Sequence, residues 1–232
     1  MAEIETKNFP VKNFDRIAFH ALGNVKILQG DEEGLTISGE PEALEHIKID
    51  VEGGELVVKL FTWYDFLFIP RPAKYVIKVK NLHAIQISGS AEIESEELLA
   101  SVMNLSISGA GKIAIQSLES ADVRMSVSGA ARIAIDSLVG NQVEIHSSGS
   151  GKFDLGGNAD SMEIRTSGSA EVKAFELAAR NVRVNVSGTG KYEIQALDTL
   201  HVSVSGSANV GYHGDPKVTQ SVSGSASIYK AQ

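Results

Sequence analysis

The chain predicts an all-β fold: a stacked parallel β-helix, or β-solenoid, with coils of about 20 residues, preceded by a less regular β-rich part. Three observations predict it. The dipeptide Ser-Gly returns as Ser88-Gly89, Ser108-Gly109, Ser128-Gly129, Ser148-Gly149, Ser167-Gly168, Ser187-Gly188, Ser205-Gly206 and Ser223-Gly224. The steps between them are 20, 20, 20, 19, 20, 18 and 18 residues. Apolar and polar residues alternate on both sides of each signature, and like residues recur in the same column of the repeat.

Aligning the repeats on the signature serine gives each column a physical role. Five residues after it stand Ile93, Ile113, Ile133, Phe153, Val172, Tyr192, Val210 and Ile228. Three before it stand Ile85, Leu105, Met125, Ile145, Ile164, Val184 and Val202. One before it stand Ile87, Ile107, Val127, Val186, Val204 and Val222, interrupted by Ser147 and Thr166. Within each arm these positions differ by two, the period of a half-buried strand, and β-branched residues dominate them. Each repeat therefore reads strand, Ser-Gly corner, strand. Glycine at the corner supplies a positive φ, and the small residues three after the serine (Ala91, Gly111, Ala131, Gly151, Ala170, Gly190, Ala208, Ala226) let coils stack.

Ten residues after the serine, Leu98, Leu118, Leu138, Leu177 and Leu197 should turn inward at the next bend. Asn158 breaks that column, within Gly156-Gly157-Asn158-Ala159-Asp160, where a local loop is expected. Outward columns carry charge: Glu92, Lys112, Arg132, Lys152, Glu171, Lys191 in one, and Arg124, Glu144, Glu163, Arg183 in another. Propeller blades and leucine-rich repeats have other periods and spacings.

Residues 1–80 read as a β-rich N-terminal capping region and 81–232 as the Ser-Gly solenoid. In the first part Arg16–Phe19, Val25–Leu28, Leu35–Ser38, Ile47–Val51, Leu56–Leu60 and Tyr75–Val79 read as strands. Gly53-Gly54 reads as a hairpin break and Pro41–Glu45 as one short helical turn. Covering the first coil is the ordinary task of such a region, because an open strand edge invites aggregation.

The 232 residues carry 29 acids against 21 bases, a formal net charge of −8, which argues against a nucleic-acid partner. No stretch approaches the roughly 20 apolar residues of a membrane span. Without cysteine there are neither disulfides nor thiolate metal sites, and the polar start is not a secretory signal.

The blocks Ile87-Ser88-Gly89-Ser90-Ala91, Ile107-Ser108-Gly109-Ala110-Gly111 and Val204-Ser205-Gly206-Ser207-Ala208 resemble the repeats of a bacterial family. So do Phe14-Asp15-Arg16-Ile17, Val25-Lys26-Ile27 and Gly54-Glu55-Leu56-Val57-Val58 its N-terminal pattern. That family is described as putative auto-transporter adhesin, head GIN domain, a domain of unknown function. The resemblance covers nearly the whole chain. It implies a right-handed β-helix exported to the periplasm or cell surface, and it brings no catalytic residues with it.

Three functional readings follow. The first is a non-enzymatic adhesin-like solenoid that binds a surface glycan or a protein. Its candidate site is the aromatic segment 61–70, with Phe61, Trp63, Tyr64, Phe66 and Phe68 offering a stacking platform. The second is a pectinase-like, polysaccharide-active β-helix enzyme. Glu144 and Glu163 then share an outward column at about 5 Å, near the spacing of a retaining glycosidase pair. Arg124 and Arg183 flank that pair, which favours a charged ladder instead, and Asp154 stands isolated. The third is a structural module, a possible homo-oligomer, with the aromatic segment buried between subunits. No cofactor is expected, and the histidines are too scattered to share a metal.

Overall fold

In the computed structural model, which describes residues 4–61 and 72–231, the Ser-Gly columns lie one above another. Ile113 pairs in parallel with Ile93 on one side and Ile133 on the other, so equivalent residues of successive coils are spatial neighbours. Each full coil is one long bent strand running from one signature to the next. These are β9 (Ser90–Ile107), β10 (Ala110–Val127), β11 (Ala130–Ser147), β12 (Ser150–Thr166), β13 (Ser169–Val186) and β14 (Thr189–Val204). The last turn is broken into β15 (Ser207–His213), β16 (Lys217–Val222) and β17 (Ser225–Lys230). The whole is a nearly all-β solenoid of about 7 turns.

Alternation puts the predicted columns inside. Ile93, Ile113, Ile133, Phe153, Val172, Tyr192 and Val210 are buried, as are the columns one and three residues before the serine up to Val204 and Val202. Ser147 and Thr166 are buried too, in place of the valine or isoleucine of neighbouring coils. Two inward columns had not been expected. One lies five residues before the serine (Met103, Val123, Val143, Met162, Val182, Leu200), the other seven after it (Ser95, Ile115, Ile135, Leu155, Ala174, Ile194).

The corners depart from expectation in an instructive way. None of the signature glycines takes a positive φ. Glycine is needed because the corners ride directly over one another. A Cβ on Gly109 would lie 2.2 Å from the Gly89 carbonyl oxygen, and one on Gly188 would lie 1.9 Å from that of Gly168. The same closeness closes a backbone ladder along the corner, as in Ser128 N–H to Ile107 O at 3.0 Å and Ala130 N–H to Gly109 O at 3.1 Å.

Two further expectations are corrected. Leu98, Leu118, Leu138 and Leu177 turn inward, but Leu197 is 44% exposed. The register slips between β13 and β14, setting Ala179 against Ala196, so Ala196 takes the buried place and Leu197 is turned out. The stretch 156–160 is not a loop but part of β12. The coil is one residue short there, and the register slips between Ile135 and Leu138 so that Gly157 faces Leu138. Gly157 absorbs the slip at φ 115, and a Cβ there would meet the Leu138 backbone at 2.0 Å.

The first part of the chain continues the stack and then changes its pairing. β2 (Arg16–His20) and β3 (Leu22–Gln29) lie parallel on β8 (Ala84–Ile87) and β9. β6 (Glu55–Leu60) and β7 (Ala73–Val79) lie parallel on β2 and β3. The pairing then turns antiparallel. β4 (Gly34–Gly39) lies on β7, β5 (Ile47–Glu52) on β6 through the Gly53-Gly54 turn, and β1 (Glu5–Phe9) on β4. The short helix α1 is Pro41–Glu45, as expected; β1 was not foreseen. Tyr75, edge-on to Phe19 at 4.9 Å, is fully buried at this junction.

Candidate functional site

The signature serines stand outside the bend in an exposed row. Beside them, two residues earlier, runs a second outward column whose register the ladders fix: Ser126 against His146, His146 against Arg165, Arg165 against Asn185, Asn185 against Ser203. In the middle coils this column swells from serine to three large hydrogen-bonding side chains. Together with the hydroxyls of Ser148, Ser167, Ser187 and Ser205 they line a groove of about 430 Å³ along the rod. Neighbouring strands repeat at about 4.8 Å, so the groove presents a regular series of donors and acceptors.

Charges beside the groove hold its side chains. Arg165 Nη2 lies 2.8 Å from Glu163 Oε2, and Asn185 Nδ2 donates to Glu163 Oε1 at 3.3 Å. His146 Nε2 lies 3.7 Å from Glu144 Oε2 and 3.4 Å from Arg165 Nη1. Glu144 also accepts from Arg124 Nε at 3.2 Å and from Gln142 Nε2 at 2.6 Å. Glu144 and Glu163 do face each other across adjacent coils, as their spacing implies. Both carboxylates already have partners: Glu163 holds Arg165 and Asn185, and Glu144 accepts from Arg124 and Gln142. Glu163 takes its cation from Arg165, two residues along the same strand, in place of the Arg183 expected from the column. Asp154 is not isolated either: Arg132 Nε reaches it at 2.8 Å.

Behind the groove the wall is unusual. Ser147 and Thr166, which break the apolar column, lie beneath it, and Ser147 Oγ is buried with no hydrogen-bond partner. The hydroxyls of Thr166 and Tyr192 are likewise buried without a hydrogen-bond partner, and burial pushes the Tyr192 phenol above the ordinary value. On another face Lys173 and Lys152 hold the Glu171 carboxyl below the ordinary carboxylate range.

Of the aromatic segment only Phe61 falls among the described residues. It follows directly on β6, its N–H donates to His46 O at 2.9 Å, and the residue is 61% exposed. Trp63, Tyr64, Phe66 and Phe68 lie outside the described residues. Elsewhere His213 stacks on Phe175 with centroids 4.0 Å apart. Among the described residues no three His, Asp or Glu side chains gather as a metal site, and no helix is long and apolar enough to cross a membrane.

The groove residues were missed in the sequence, although the signal was present. His146 and Arg165 interrupt a serine-rich column in the two coils where Ser147 and Thr166 interrupt the apolar one, and Asn185 interrupts it again in the next coil.

A family model described as "Putative auto-transporter adhesin, head GIN domain" matches residues 13–216. Among solved structures, a "putative adhesin" from Parabacteroides distasonis aligns with a TM-score of 0.88 at 21% identity, covering 99% of this chain and 97% of that one. Another from Parabacteroides merdae aligns at 0.86 and 20%, with the same coverage. A "putative lipid binding protein" from Parabacteroides distasonis aligns at 0.87 and 21%, again covering 99% and 97%. At such identities the likeness is one of fold. A comparison with curated proteins gave no match. The family match spans most of the chain, coils and N-terminal part together, and the protein belongs to this bacterial adhesin-head family.

Proposed function

We propose that the protein is a non-enzymatic adhesin-like module, acting at the cell surface or in the periplasm, that binds a carbohydrate through the groove beside the Ser-Gly row. The observation that carries this reading is the column His146–Arg165–Asn185 set against Ser148, Ser167 and Ser187. Hydroxyl, imidazole, guanidinium and amide groups are the donors and acceptors that sugar hydroxyls need, and the Glu163 carboxylate holds two of them, Arg165 and Asn185, in place. A rod that repeats its polar groups coil by coil suits a repeating polymer. The aromatic segment with Phe61, Trp63, Tyr64, Phe66 and Phe68 is a second contact surface within the same proposal, because aromatic faces stack on sugar rings.

The test is binding of the 232-residue protein to a glycan array, followed by titration of each hit. Arg165→Ala and Asn185→Ala are expected to weaken binding about tenfold each, a loss of roughly 1.4 kcal/mol. Lys48→Ala, far from the groove, is the control. Trp63→Ala reports on the aromatic segment separately. A blank array, with binding found only to a protein, rejects the carbohydrate reading. Binding indifferent to both groove variants removes the groove.

A further inference from the structure

Four buried side-chain oxygens have no hydrogen-bond partner among the described residues, and three of them belong to one corner of the rod. They are Ser147 Oγ, Thr166 Oγ1 and the Tyr192 phenol oxygen, on residues that are 2%, 3% and 0% exposed. The fourth, Asp50 Oδ2, lies between Lys48 and Lys59 in the N-terminal part. Three successive corners of the stack each contribute one hydroxyl. Ser147 ends β11 and pairs with Thr166 at the end of β12, which pairs in turn with Val186 at the end of β13. Tyr192 follows Val186 across the corner, in β14. In the other coils isoleucine or valine fills the place of Ser147 and Thr166.

A hydroxyl buried in such a core gives up its bonds to solvent, and that loss is costly unless a partner replaces them. The nearby glycines locate the oxygens. A Cβ on Gly151 would lie 2.8 Å from Ser147 Oγ, and one on Gly190 would lie 2.6 Å from the Tyr192 hydroxyl. Gly151, Ala170 and Gly190 are ladder neighbours, so the hydroxyls line one inner edge of the corner. Thr166 stands close enough to the Tyr192 phenol to act on its proton, yet the two share no bond. Ser147 and Thr166 are one strand spacing apart, about 4.8 Å. Two hydrogen bonds of about 2.8 Å meeting at an open angle span that gap.

We infer that Ser147, Thr166 and Tyr192 hold a single buried water, in a site built into the core one backbone layer beneath the groove. A water bound inside a protein typically makes about three hydrogen bonds, and each hydroxyl here can donate or accept. The inward neighbours Ile145, Phe153, Ile164 and Val172 carry no charge that would balance an ion, so the occupant is neutral. The residues flanking Ser147 and Thr166, namely His146, Ser148, Arg165 and Ser167, face the groove. The same stretch of chain is therefore polar on both sides of its backbone.

The first test is a crystal structure of the 232-residue protein at about 1.5 Å resolution. A water peak is expected at roughly 2.7–3.2 Å from the three oxygens. Hydroxyls bonded to one another or to backbone carbonyls, with no water among them, overturn the inference. The second test uses Ser147→Ala, Thr166→Val and Tyr192→Phe, each of which deletes a hydroxyl with little change of volume. Groups that share one water lose it together. Each single variant is expected to lower the urea midpoint, and the triple variant to lower it by less than the three losses summed. Additive losses, or single variants without any loss, overturn the shared site. Neither test involves glycan binding, so failure here is separate from failure of the groove.

Discussion

Glycine at each corner answers to the coil before it, not to a turn of its own. With 1.9 Å between the Gly168 carbonyl oxygen and a Cβ built on Gly188, and backbone on both sides, neither atom has room to give. Gly188→Ala is therefore expected to cost about 3 kcal/mol, read as a lowered urea midpoint with little change in slope. The residue type was legible from the repeat, but its reason was not, because stacking distance is a property of two coils and a dipeptide shows only one. Tyr75 carries the second prediction at this scale. Burial pushes its phenol well above the ordinary value of 10.0. The unfolded chain then loses the proton at a lower pH than the folded one, so stability is intact below about pH 10 and declines as pH rises beyond it. In Tyr75→Phe the decline should be shallower, because the residue no longer titrates. Near neutrality the change should stay within about 1 kcal/mol, since only a 3.4 Å bond to Leu22 O is lost. Chemical denaturation at a series of pH values checks both.

At the scale of a coil, the two positions three and five after the serine behave as a pair. Gly151 sits beside Phe153 and Gly190 beside Tyr192, whereas Ala131, Ala170 and Ala208 accompany isoleucine or valine; Gly111, beside Ile113, departs from this, and a Cβ there would lie 2.9 Å from the Ala91 carbonyl oxygen. The rings account for part of this: a Cβ on Gly151 would lie 2.7 Å from Phe153 Cε2, and one on Gly190 would lie 2.6 Å from the Tyr192 hydroxyl as well as 2.5 Å from the Ala170 carbonyl oxygen. Gly151→Ala should cost roughly 1–3 kcal/mol by crowding and Phe153→Val a similar amount by leaving a void. Together they recreate the Ala170–Val172 pair of the next coil, so the double variant should lose at least about 1 kcal/mol less than the sum. A double-mutant cycle by urea unfolding decides. The strand arms and most inward columns were legible because alternation survives in every coil. The column of Met103, Val123 and Met162 was hidden by its distance from the signature and by methionines that weaken the β-branched pattern. Leu197 could not be placed because its position depends on a slip of register against β13.

Over the whole molecule, the N-terminal strands and the six long coils share one continuous core, and cover thins toward the other end. Every residue of β16 is exposed, while β9 to β13 each bury a regular series of side chains. Amide hydrogen exchange is expected to run first through β16 and β17 and last through the central coils, a gradient followed residue by residue by mass spectrometry or NMR. The rod itself was legible, because a fixed period with matching columns has few other solutions. The groove was less so. Its lining comes from residues 18 to 20 positions apart, each of which looks like ordinary solvent-facing polarity until they are set side by side. One coil touching only its neighbours also has a mechanical meaning. A pull on the chain from the bare end loads a single rim of hydrogen bonds at a time, so turns should peel away in succession rather than rupture together. Each freed turn of 18 to 20 residues releases about 65 Å of slack, and a single-molecule force trace should climb as an even staircase.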